Sequence, residues 1–144
     1  LPGYNVRPIE MSGAIGNKQL EKLPNFLKKR RENAELFVNL FKNHEDFLIQ
    51  KEIDKSSWFG FSLIIKPGSK LIRKDVINVL EKNKIEYRPI VTGNFVRNEV
   101  LKYFNYEIHK KLTNANHLHD NGFFVGNSHE NLFSNIKLLK KVLS

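Results

Sequence analysis

Cysteine is missing from all 144 residues. Disulfides, thiolate metal sites and a cysteine nucleophile are therefore excluded within this chain. A reducing compartment fits that lack, and a cytoplasmic location is expected. Long apolar runs are missing as well. The longest, around Phe61 and Leu63-Ile64-Ile65, falls far below the ~20 residues of a membrane-crossing helix, so no membrane span is expected. There is no internal repeat and no low-complexity tract. A Gly-rich Walker sequence, a Ser nucleophile elbow and a paired-carboxylate signature are all lacking. No self-sufficient catalytic centre is visible, so no catalytic residue is assigned within the chain.

What is present describes a folded, basic domain. Hydrophobic residues make up 40% and Phe occurs eleven times, enough to build a core. Lys and Arg number 24 against 15 acidic residues, giving +9. That excess raises a polyanion as partner. Lys outnumbers Arg 18 to 6 and Asn occurs 17 times, a bias that compositional drift explains as readily as a selected basic face. The clusters Lys28-Lys29-Arg30-Arg31 and Lys137/Lys140/Lys141 fall on predicted helices and read as solvated faces. Trp58, Phe59 and Phe61 fall in a predicted core strand, not on an exposed stacking platform. Nucleic acid is therefore disfavoured as a partner. An anion- or nucleic-acid-binding module without catalysis stays open as a second class.

The apolar spacing predicts the elements. Residues 1–8 read as a loop broken by Pro2-Gly3 and Pro8. Residues 9–42 are helical, with one stripe through Met11, Ala14, Ile15, Leu20, Leu23, Phe26, Ala34, Phe37 and Phe41. Pro24 should split or kink that run. Strands are expected at 47–50, 58–65, 85–88 and 123–125, and helices at 73–82, 98–104, 114–121 and 130–143. Asn83 is the expected left-handed terminator of the helix before it. The last helix should bury Leu132, Ile136, Leu139 and Leu143. The order predicts an α/β, α+β-like fold, a sheet of three or four strands packed by helices behind a long leading helix.

Four constellations carry chemistry. In Gly3-Tyr4-Asn5-Val6-Arg7, the amide of Asn5 and the guanidinium of Arg7 suit a phosphate ahead of a helix N-terminus. A plain loop would read the same. In Ile85-Glu86-Tyr87-Arg88-Pro89, alternation puts Glu86 and Arg88 on one face and Ile85 and Tyr87 on the other. The charged pair suits a sugar phosphate or a base edge, and equally a surface ion pair. Thr92-Gly93-Asn94-Phe95 reads as turn chemistry. Residues 121–129 bracket a short strand with Gly and Asn and place His129 at the mouth of a turn. His117, His119 and His129 match no zinc spacing, so no metal site is assigned.

Taken in order, these segments resemble one family. GYNVRPIEMSGAIGNKQLEKLPNFLKKRREN, residues 3–33, is similar to the stretch after the cofactor-binding domain of DegT/DnrJ/EryC/StrS sugar aminotransferases, fold-type-I enzymes that use pyridoxal phosphate. RPIVTGNF (88–95) and LTNANHLHDNGFFVGN (112–127) resemble the branch of nucleotide-sugar 3-dehydratases. The resemblance implies a C-terminal small domain over 1–144, with a linking loop and long helices over 1–43 and a small-sheet subdomain over 44–144. A large cofactor-binding domain is expected ahead of Leu1, bearing a base that is His in the dehydratases and Lys in the aminotransferases. The implied cofactor is pyridoxal 5'-phosphate or pyridoxamine 5'-phosphate. Asn5 would reach its phosphate in the neighbouring subunit, beside Tyr4 and Arg7, which implies a homodimer. Glu86, Arg88, Asn94, Phe95 and His129 are the implied substrate-binding residues. The implied substrate is a nucleotide-linked deoxysugar. The implied reaction is 3-dehydration of a 4-keto-6-deoxyhexose in lipopolysaccharide O-antigen synthesis, with sugar transamination as the alternative. Enzyme status is implied for the larger protein and left open for this segment alone.

Overall fold

The computed structural model describes residues 9–144. Tyr4, Asn5 and Arg7 lie outside the described residues. Helix α1 runs unbroken over Glu10–Phe41 with Pro24 inside it. The expected split is not seen. Residues 20–25 are all exposed, so the carbonyl that Pro24 leaves without a donor lies on a solvated stretch. The apolar stripe also divides. Asn33, Ala34, Phe37 and Phe41 are buried, whereas Met11, Ile15 and Leu20 are each 60% exposed or more. Only the second half of α1 therefore joins the core.

The sheet has four antiparallel strands in the order β1-β2-β4-β3. These are β1 (Phe47–Ile49), β2 (Gly60–Ile65), β3 (Arg88–Pro89) and β4 (Gly122–Gly126). Register pairs Phe47 with Ile65, Phe61 with Val125, and Leu63 with both Ile49 and Phe123. Period-2 alternation therefore collects these side chains on one face. That face packs on the second half of α1, on α2 (Arg73–Lys82) and on α4 (Phe133–Val142). Phe37 stacks on Phe61 at 4.4 Å between ring centroids, and Phe47 meets Phe123 edge-on at 6.0 Å. Ile136, Leu139 and Leu143 close the core as their spacing predicts. Helix α3 (Thr113–Asn121) leads directly into β4, and its His117 Nε2 bonds the Ile65 carbonyl oxygen at 2.8 Å.

Three local expectations shift. The left-handed residue after α2 is Lys84 (φ 56°), not Asn83 (φ −94°). The amides of Lys84 and Ile85 bond back to the Glu81 and Leu80 carbonyls, a Schellman pattern that displaces the αL position by one. The helix expected at 98–104 is instead two 3₁₀ turns, Phe95–Arg97 and Glu99–Tyr103, started by the Asn94 and Asn98 side chains. The strand expected at 58–65 begins only at Gly60, because Trp58 has φ 51° and breaks the alternation. Trp58 is buried while Phe59 is 77% exposed, so Phe59 is not a core residue.

A polar knot ties α1 to the turn between β4 and α4. Buried Asn33 donates from Nδ2 to the Glu130 carbonyl (2.8 Å), and its Oδ1 accepts the Leu132 N–H (3.1 Å). Asn127 donates to the carbonyls of Arg30 (3.0 Å) and Trp58 (2.9 Å). The Trp58 carbonyl also accepts from Arg30 Nη2 at 2.8 Å. Replacing Asn33 by Leu would leave the Leu132 N–H and several carbonyls without partners. An unmade buried hydrogen bond costs roughly 1–3 kcal/mol, so Asn33→Leu should cost about 3 kcal/mol in a urea titration. Asn33→Asp should fare no better, because a carboxylate would face those carbonyls without a donor.

His44 sits between Phe41 and Phe47 with its ring buried. Its Nδ1 accepts the Asp46 N–H at 3.2 Å, and Nε2 lies buried without a formed bond. Burial, with Lys140 nearby, holds the imidazole below its ordinary value of 6.5. The unfolded chain therefore binds the extra proton more readily, and the stability His44 gives is lost as pH falls below about 6.5. Melting temperature should fall more steeply between pH 7 and 5 in the wild type than in His44→Gln. Equal slopes would contradict this.

Candidate functional site

The opposite face of the sheet carries few side chains from β2 and β4. Gly60 pairs with Gly126 in register, and Phe124 pairs with Ser62 and with Arg88. Gly60 has a specific reason to be glycine. A Cβ there would lie 2.7 Å from Phe124 Cδ2 and 2.8 Å from the Val125 oxygen. The missing Cβ lets the Phe124 ring lie across β2. Phe59 then tilts against it at 5.9 Å between centroids. An aromatic pair thus stands on the open face beside the guanidinium of Arg88.

A recess of about 590 Å³ opens here, lined by Phe59, Glu86, Tyr87, Arg88, Pro89, Val91, Phe124 and Gly126. The expected alternation holds although pairing reaches only Arg88 and Pro89. Ile85 and Tyr87 are half-buried, while Glu86 and Arg88 are exposed. Proline is tolerated because β3 is an edge strand. The Tyr87 hydroxyl donates to Glu81 Oε1 at 3.0 Å and ties this segment back to α2. That bond to a carboxylate raises the phenol above its ordinary value of 10.

The turn after β3 is clamped from both sides. Ile90 lies against Gly122, where a Cβ would come within 2.7 Å of Ile90 Cγ1. Gly93 (φ 60°) lies against His119, whose Nδ1 accepts the Asn94 N–H at 3.2 Å. Asn94 is buried, with Nδ2 donating to Asn116 Oδ1 (2.8 Å) and Oδ1 accepting the Val96 N–H (3.1 Å). The Gly93 N–H bonds the Ile90 carbonyl at 2.6 Å. Val91, between these clamps, has φ 42° and is 81% exposed. For a β-branched residue that conformation costs roughly 1–3 kcal/mol.

The structure brings together two of the five implied substrate-binding residues, Glu86 and Arg88, in one recess. Asn94 anchors the adjoining turn with both ends of its amide engaged. Phe95 is half-exposed at the start of the first 3₁₀ turn and does not line the recess. His129 lies elsewhere. Its ring rests on Phe26 at 4.1 Å, and Nε2 is 3.4 Å from Glu130 Oε1. His117 and His119 are engaged with Ile65 and Asn94, and among the described residues no group of three His, Asp or Glu is placed to hold a metal ion. Phe59, Phe124 and Val91 were not candidates from sequence. Alternation from Phe61 carried Phe59 into the core, and only the positive φ of Trp58, invisible in composition, turns it outward.

Chemically, the recess offers an aromatic surface, an acceptor-only carboxylate and a forked cation. Its lining includes no His or Lys. No described helix is long and apolar enough to cross a membrane.

Comparison with known proteins places this geometry. The DegT/DnrJ/EryC1/StrS aminotransferase family pattern matches residues 1–130. The GDP-4-keto-6-deoxy-D-mannose 3-dehydratase of Escherichia coli O55:H7 is 56% identical over 144 residues, covering 99% of this chain and 37% of that protein. The protein of the same name from Yersinia pseudotuberculosis is 51% identical, with the same coverage. A solved structure of the E. coli dehydratase with bound hydrated pyridoxal phosphate superimposes with a TM-score of 0.95 at 55% identity, covering 100% of this chain and 37% of that one. The chain spans about 37% of the length of these curated relatives. The sheet and helices described above are those of a fold-type-I fragment, and the chain belongs to the DegT/DnrJ/EryC1/StrS aminotransferase family.

Proposed function

We propose that this chain is the C-terminal small domain of a nucleotide-sugar 3-dehydratase acting on a GDP-linked 4-keto-6-deoxyhexose. The observation that carries the reading is the recess on the open sheet face, which combines Arg88, Glu86 and Phe59. The dehydratase relatives support the choice of substrate. In this reading the Arg88 guanidinium pairs with a phosphate of the nucleotide, which planar fork geometry favours over an ammonium. The Glu86 carboxylate accepts the donors on the guanine edge. The exposed Phe59 ring gives a face for the base, a contact typically worth about 1–3 kcal/mol.

The cofactor in this reading is pyridoxal 5'-phosphate or its pyridoxamine form. The residues assigned to it fit by donor chemistry. The Asn5 amide and the Arg7 guanidinium are phosphate donors, and Tyr4 adds a hydroxyl. We place them at the phosphate across a homodimer interface. When bound, the cofactor supplies an electron sink for the carbon that loses a proton. The described residues hold the nucleotide sugar and fix its orientation, a contribution that acts through proximity. Proton transfer belongs to the cofactor-binding part of the full-length protein.

Two measurements on the full-length protein test this. Arg88→Ala should raise KM for the nucleotide sugar at least tenfold, a loss of about 1.4 kcal/mol of binding, with Arg88→Lys recovering only part. An unchanged KM would remove the recess from the substrate site. Borohydride treatment should leave the cofactor free of covalent attachment, as expected for a base that is not lysine. Covalent retention would favour the sugar aminotransferase reading instead.

A further inference from the structure

We propose that Val91 is a substrate-contact residue, held in a strained backbone conformation so that its isopropyl group walls the recess beside Arg88. Four described residues other than glycine have positive φ: Asp54, Trp58, Lys84 and Val91. Three have local reasons. Asp tolerates the left-handed region. Lys84 completes the Schellman turn after α2. Trp58 is buried, and its indole N–H donates to Glu52 at 3.1 Å while its carbonyl accepts from Arg30 and Asn127. Val91 has no such return. It is β-branched, 81% exposed, and occupies the first central position of a turn closed by the Gly93 N–H to the Ile90 carbonyl. Thr92 is not among the residues with positive φ, so the turn has the type II′ pattern, whose first central position glycine normally takes.

The clamps explain how the strain is imposed. Pro89 is held in register with Phe123, Ile90 is wedged on Gly122, and Asn94 is tied to His119 and Asn116. They do not explain why the residue is valine, since glycine would follow the same path without strain. What valine adds is an apolar wall to the recess that also holds Arg88 and Phe59. Strain of this kind concentrates where a side chain must be presented to a ligand. With base and phosphate assigned to Phe59, Glu86 and Arg88, the apolar edge of the sugar is the surface left for Val91. This inference rests on the reading of the recess as the nucleotide-sugar site.

The test compares wild type, Val91→Gly, Val91→Ile and Arg88→Ala in the full-length protein. The probe is the GDP-linked 4-keto-6-deoxy sugar, with kcat, KM and melting temperature measured. Val91→Gly should raise KM about tenfold, leave kcat within about twofold, and melt within about 3 °C of wild type. Val91→Ile should keep KM within about threefold. If Arg88→Ala raises KM but Val91→Gly does not, Val91 is no contact residue and this inference falls alone. A fall in kcat and melting temperature together in Val91→Gly also overturns it, by showing a structural role. If neither variant changes KM, the reading of the recess fails and takes this inference with it.

Discussion

The buried amide of Asn33 is the point on which both layers of this domain depend. It joins the long helix to the turn between β4 and α4, donating to the Glu130 carbonyl and accepting the Leu132 N–H. Asn127 extends the same network to Trp58, whose carbonyl gathers Arg30 as well. Because α1 and α4 are locked in this way, the apolar face of the sheet is sealed. The polar strand residues Ser62 and Arg88, together with Phe124, are then left to the other face. The recess is in that sense a consequence of how the opposite side is closed.

The division of the sheet into two faces was legible in the sequence. Phe61, Leu63, Ile65, Phe123 and Val125 alternate inward as their spacing requires, and Glu86 and Arg88 alternate outward. Of the four residues that the period of the last helix named, Ile136, Leu139 and Leu143 are buried and Leu132 is half-buried. The family was legible too, in residues 3–33 and in two short motifs, and its pattern matches residues 1–130. What escaped were features set by single backbone angles or by packing at a distance. Trp58 at φ 51° turns Phe59 out, and Lys84 takes the left-handed place that Asn83 was expected to hold. Pro24 stays within a helix because its surroundings are solvated. Asn33 and Asn127 look like ordinary polar residues until the chain brings them together across more than ninety positions.

Function follows from composition less than from position. The excess of lysine does not single out a site. In the proposed reading one arginine does, because an edge strand sets it beside an aromatic pair on a surface cleared by Gly60 and Gly126. The residues lining that surface include no His or Lys. In the reading proposed above, the described residues present the substrate, and the cofactor is carried by another part of the full-length protein. The strained turn at Val91 fits that role, because a presenting surface gains from rigidity at its rim.

The most direct test of this account is a structure of the full-length protein with the GDP-linked sugar bound. The account predicts the Arg88 guanidinium about 2.7–3.2 Å from a ligand oxygen, with the Phe59 ring in contact with the ligand. A ligand bound elsewhere, with the open sheet face buried against protein, would contradict it.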